Sequence, residues 1–153
     1  MNSLLTLFES LTDHLRQLTE LAKRKTTAVR KNDLSELDNI LKEEQAQSLA
    51  LRGLEQKRVT LLKQFGLEDV PLTELSYKVP AELQQKTREA TETLHREFSI
   101  YRSAAEVARN TLECNLHEIE KFLAAAGAAN DNGAGYNNGE VDAPPQMKAD
   151  FRA

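Results

Sequence analysis

Tryptophan is absent from this sequence, aromatic residues make up 5% of it, and it carries one cysteine, Cys114. A single thiol excludes an intrachain disulfide and fits a reducing compartment. Ile and Val together number nine against 23 Leu, which excludes sheets built on β-branched and aromatic side chains as the main architecture. No apolar run approaches the roughly 18 residues that a membrane span needs. The opening Met1-Asn2-Ser3-Leu4-Leu5 has no basic start of the kind that begins a secretory leader, and Glu9 and Asp13 interrupt it early. Positive charge is not in excess either. The net charge is −4, which argues against a nucleic-acid partner. These absences lead to the expectation of a soluble, cytoplasmic protein with no membrane insertion.

What the chain does have is Leu, Ala, Glu, Lys and Arg, the composition of long amphipathic helices. Glycine and proline are scarce and unevenly placed: up to Ala126 only Gly53, Gly66, Pro71 and Pro80 occur. That punctuation predicts an all-α fold of three helices, about 3–31, 34–65 and 80–126, followed by a disordered tail over 127–153. In the first helix Leu4, Phe8, Leu11, Leu15, Leu18, Ala22 and Val29 form one stripe, with Lys25 as the charged place in the row. Lys31-Asn32-Asp33 breaks it, and Asp33 with Glu36 resembles a capping box that starts the second helix at once. So short a break implies an antiparallel hairpin. The second helix carries Leu37, Leu41, Leu51, Leu54, Leu62 and Phe65, and Gly66 suits a left-handed end. Gly53 within it is a candidate bend. A linker over Leu67–Val79 holds Pro71 and room for one helical turn around Thr73–Leu75. Pro80 then opens the third helix, whose stripe is Leu83, Thr87, Ala90, Leu94, Phe98, Tyr101, Ala105, Ala108, Leu112, Leu116, Ile119 and Leu123. Together these make a three-helix bundle or coiled coil. The Asn/Gly/Ala-rich tail has too little apolar surface to offset its ordering entropy.

The helix lengths do not match. At 1.5 Å per residue the first two span roughly 45 and 48 Å and the third roughly 70 Å. If the linker turns back directly, the third helix outruns the hairpin near residue 110. Leu112, Leu116, Ile119, Phe122 and Leu123 then lie on an overhang from about Thr111 to Ala126, an exposed apolar stripe of the kind that binds a partner helix. If the linker climbs the bundle instead, the third helix is covered throughout or pairs with itself in a homodimer. Sequence alone leaves both open.

Chemistry is not evident elsewhere. Cys114 and His117 share a helix face, but a zinc site needs three or four ligands, so a partly buried Cys beside a surface His is the reading adopted. Glu92 and His95 match one half of a di-iron element that requires two copies. Gly133-Ala134-Gly135 neither follows a strand nor opens a helix. Lys23-Arg24-Lys25 reads as a solvated face. No catalytic residue, metal or cofactor is expected, and nothing supports an enzyme.

The order of short motifs carries a resemblance. Lys31-Asn32-Asp33-Leu34-Ser35-Glu36-Leu37, then Glu43-Glu44-Gln45, Leu54-Glu55-Gln56-Lys57-Arg58 and Phe65-Gly66 resemble the FlgN family of flagellar export chaperones. Asn115, Ile119 and Phe122-Leu123 are similar to that family's long C-terminal helix, and Gly135-Tyr136-Asn137-Asn138-Gly139 resembles a short tail element. The resemblance covers residues 3 to about 139. It implies a cytoplasmic chaperone domain over 1–126 that binds the C-terminal helical segments of hook-associated (hook–filament junction) proteins. Such a chaperone keeps them from assembling prematurely and delivers them to the export gate. By similarity Tyr136 would touch the gate's cytoplasmic domain. The competing reading is a structural coiled-coil subunit that acts through self-association.

Overall fold

Residues 1–129 are described in the computed structural model, and their regular structure is entirely helical. The elements are α1 (Asn2–Arg30), α2 (Leu34–Gln64), α3 (Leu75–Lys78) and α4 (Ala81–Ala129). Beyond the three long helices predicted, the helical turn expected in the linker around Thr73–Leu75 forms slightly later, as α3. It is a single turn that forms because Leu75 and Ser76 are buried at the end of the bundle. Val79 is extended, as the residue before Pro80 must be.

Two similar helix ends make the punctuation. At the end of α1, Asn32 takes a left-handed conformation (φ 54°), its N–H donating to the Val29 carbonyl (3.1 Å) and that of Asp33 to Ala28 (2.9 Å). At the end of α2, Gly66 does the same (φ 64°), with Gly66 N–H donating to Lys63 (3.0 Å) and Leu67 N–H to Leu62 (2.9 Å). Both are Schellman ends, which satisfy the carbonyls a helix leaves unpaired. Asp33 also begins α2, its carboxylate accepting the Glu36 N–H at 3.0 Å. The return half of the capping box is not made. The Glu36 carboxylate instead accepts two N–H groups of Arg24 (3.0 and 2.7 Å), and Arg24 reaches Glu43 as well (3.1 Å).

Cross-helix pairs set the directions. Arg24 meets Glu36 and Glu43, Lys25 meets Glu44 (2.7 Å), and His14 Nδ1 lies 2.6 Å from the Gln47 side-chain oxygen, so α2 descends as α1 climbs. Arg16 meets Glu97 (3.3 Å) and the Val29 carbonyl accepts from Asn115 (3.3 Å), so α4 climbs with α1. Both α2 and α4 pack on α1, while their own backbones stay apart. Their side chains still converge beside α1: burial, then the Glu44 carboxylate of α2, pushes the Tyr101 phenol of α4 above its ordinary value.

A helix with neighbours on two sides buries more than one stripe. Every member of the predicted row from Leu4 to Val29 is buried except Lys25, which is half-buried in its pair with Glu44. In addition Leu7, Leu21 and Ala28 are buried, and so are Thr12, Thr19 and Thr26 at seven-residue spacing. Each of these threonine hydroxyls donates to the carbonyl four residues back (2.8, 2.9 and 3.1 Å), so no buried oxygen is left unpaired. The second helix is thinner in its burial. Ile40, Leu51 and Leu62 are its buried side chains, whereas Leu41 and Phe65, which the sequence places in the same apolar series, are exposed. With one neighbour, α2 has room to bury only a narrow row, and that row passes through Ile40 beside Leu41. Gly53 lies inside a continuous helix, with open space where a Cβ would be.

The fourth helix passes Ala126 and Gly127 without ending. Gly127 has no positive φ to stop it, and alanines flank it on both sides. The tail expectation otherwise concerns residues 130–153, which lie outside the described residues.

Candidate functional site

The stripe of α4 changes character along its length. Thr87, Leu94 and Ala108 are buried; Leu83, Ala90, Phe98, Tyr101, Ala105 and Leu112 are half-buried. From there on the row is open: Leu116 is 57% exposed, Ile119 47%, Phe122 73% and Leu123 61%. Spacing does not change between the two stretches; cover does. The hairpin formed by α1 and α2 ends at residues 31–33, and α4 continues past it.

Asn115 marks the boundary. Its side-chain amide donates to the Val29 carbonyl (3.3 Å) and to the Asn32 side-chain oxygen (3.4 Å). The free part of α4 therefore runs from Leu116 to Ala129, about 20 Å of helix. This is just over one turn later than the predicted start near Thr111, so Leu112 still lies beside the hairpin turn. The other four predicted residues stand together on the free part. Tyr136 lies outside the described residues.

At 100° per residue, Leu112, Leu116, Ile119 and Leu123 share one face, with Phe122 at its edge. Glu118 stands on one flank of that face, beside Phe122. Glu113 and Glu120 stand on the other. Glu113 is paired with Arg109 (3.1 Å), whereas Glu118 and Glu120 have no ion pair among the described residues. His117 and Lys121 lie on the rear of the helix. Cys114 is exposed rather than half-covered, at the rim of an open groove that it shares with Val29, Arg30 and Asn32 of the hairpin end. Among the described residues no three His, Cys, Asp or Glu side chains gather as a metal site would require. None of their helices is long and apolar enough to cross a membrane.

Chemically, such a surface can bury an apolar helix face and little else. Leu116, Ile119, Phe122 and Leu123 each leave unrealised about half or more of the roughly 1.5–3 kcal/mol that full burial of such a side chain supplies. Sequence reasoning missed the role of Asn115, although an amide set between Leu112 and Leu116 at the margin of an apolar row was its visible signal. It also missed Leu34, a large apolar side chain exposed at the hairpin tip, two residues from the Asn32 that Asn115 holds.

Comparison with known proteins adds one match. The family model described as FlgN protein fits residues 1–139. No curated protein and no solved structure matches the chain.

Proposed function

Because the chain belongs to the FlgN family of flagellar export chaperones, we propose that its clients are the C-terminal helical segments of hook-associated proteins and that they dock on the free end of α4. The observation that carries this is the row Leu116, Ile119, Phe122 and Leu123, left exposed where α4 outruns its own bundle, with Leu112 at its inner end. A client helix laid on that row would cover apolar surface that the chaperone does not cover itself, and would hide the client's own assembly face. The chaperone domain in this reading is the helical part, and its site of action is the cytoplasm. Delivery is assigned to the tail: Tyr136 would contact the cytoplasmic domain of the export gate while the client stays on α4.

The test is direct binding of candidate hook-associated C-terminal segments to the full chain by calorimetry. Leu116→Asp with Ile119→Asp would place carboxylates in a dry interface and should lower client affinity at least a hundredfold, since each uncompensated polar group there costs a few kcal/mol. Circular dichroism should stay helical. A double variant that binds as well as the wild type would move the client elsewhere. For the gate, Tyr136→Ala should abolish capture by the gate's cytoplasmic domain and leave client binding unchanged. Unchanged capture would remove Tyr136 from delivery.

A further inference from the structure

The flanks of the free face hold a charge pattern that its apolar row does not explain. Glu118 borders the row on one side and Glu120 on the other, both exposed and neither joined in an ion pair among the described residues. The cationic groups of the same stretch, Lys121 and His117, sit behind. We infer that the helix received by this face carries Lys or Arg on both sides of its own apolar row, so that the surface selects for basic-flanked amphipathic helices. This rests on the docking surface proposed above and adds to it the chemistry of the partner.

Charge also discriminates among the occupants. A second copy of α4 laid antiparallel on the first would bring Glu118 and Glu120 of each protomer toward those of the other, and juxtaposed like charges disfavour that pairing. Residues 130–153 carry Asp131, Glu140, Asp142 and Asp150 against Lys148 and Arg152, so this chain's own later residues are a poor electrostatic match as well. A basic-flanked partner meets neither penalty. Its lysines would sit at the rim of the interface, where charges steer encounter and choose partners more than they hold them.

The experiment compares two designed helical peptides of the free end's length, with one leucine row in common and either Lys or Glu at every flanking position. Each is titrated against the full chain by fluorescence anisotropy at low and at high salt. The Lys-flanked peptide should bind about tenfold tighter at low salt, and the gap should narrow as salt rises. Glu118→Lys with Glu120→Lys should reverse the order. Equal binding of both peptides, lost from both in Leu116→Asp with Ile119→Asp, would overturn the charge selection and leave the docking surface standing. If neither peptide binds, the selection is overturned; hook-associated segments failing on the same protein would then take the docking surface with it. A concentration-dependent dimer that those two aspartates dissolve would assign the face to a second copy instead. Tighter peptide binding in Lys148→Glu with Arg152→Glu would assign it to this chain's later residues.

Discussion

The two ends of α4 carry the same row of apolar side chains and meet opposite fates. Before Asn115 the row lies on α1 and supplies Leu94 and Ala108 to the core; after it Leu116, Ile119 and Leu123 face outward. Nothing in the spacing distinguishes the halves. What distinguishes them is that α1 stops at Arg30 and α4 does not stop beside it. An amphipathic pattern states which face of a helix is to be covered, and the lengths of the neighbours decide who covers it. The first half is covered within the chain, and the second, among the described residues, is not.

The comparison is broken most severely by equal truncations on each side of the boundary. Leu94 is 3% exposed, and Leu94→Ala should cost about 3 kcal/mol through lost burial and the cavity left behind. Leu116→Ala removes a side chain that is mostly in water and should cost less than about 0.5 kcal/mol. Urea unfolding followed by circular dichroism measures both. Equal losses would mean that the free end is covered in solution, and the protein-concentration dependence of the midpoint would then identify a second copy as the cover.

A smaller effect is expected at the boundary itself. Asn115→Ala removes an amide that bonds the α1 end and the turn, at 3.3 and 3.4 Å. Two long hydrogen bonds together are worth about 1 kcal/mol at most. Hydrogen exchange should accelerate around residues 111–118 and stay slow around Leu94. Unchanged exchange near Thr111 would show that packing alone ends the covered half.

These substitutions also separate what the sequence discloses from what it hides. Local signals were legible. Gly66 as a left-handed end, Asp33 as a start, and the Leu4–Val29 row depend on a few neighbouring residues and on helical period. The all-helical class follows from them. Tertiary matters were hidden to the degree that they depend on the number of flanking helices. Thr12, Thr19 and Thr26 read as polar, yet they are buried because α1 is flanked on two sides and because a threonine hydroxyl can bond its own helix. Leu41 belongs to the apolar series of the second helix, yet Ile40 beside it is the one buried, since α2 has one neighbour and a narrow row. For the candidate site, unequal helix lengths offered a protruding α4 as one of two arrangements, and only the structure chose between them. The start near Thr111 was just over one turn early, because the boundary is held by the Asn115 side-chain amide, which has no period to read.

The smallest expected effect compares one substitution in two helices. Gly53 and Gly127 both lie within helices, and both have open space where a Cβ would be placed. Alanine at such a position favours the helix by about 0.5–1 kcal/mol, by reducing the freedom of the unfolded chain. Whether that gain reaches global stability depends on coupling. Gly53 lies between Leu51 and Leu62, both buried against the rest of the core, so α2 must be helical through it for the bundle to form. Gly53→Ala should therefore raise the urea midpoint by the full amount. Gly127 lies beyond Asn115, where among the described residues no side-chain hydrogen bond or ion pair ties α4 to the hairpin, and that end can fray while the bundle stays folded. Gly127→Ala should leave the midpoint where it is and only slow hydrogen exchange over the last turns of α4. Equal gains at the two sites would show that the free end unfolds together with the bundle. The two halves of α4 would then be one cooperative unit rather than a packed half and a free end.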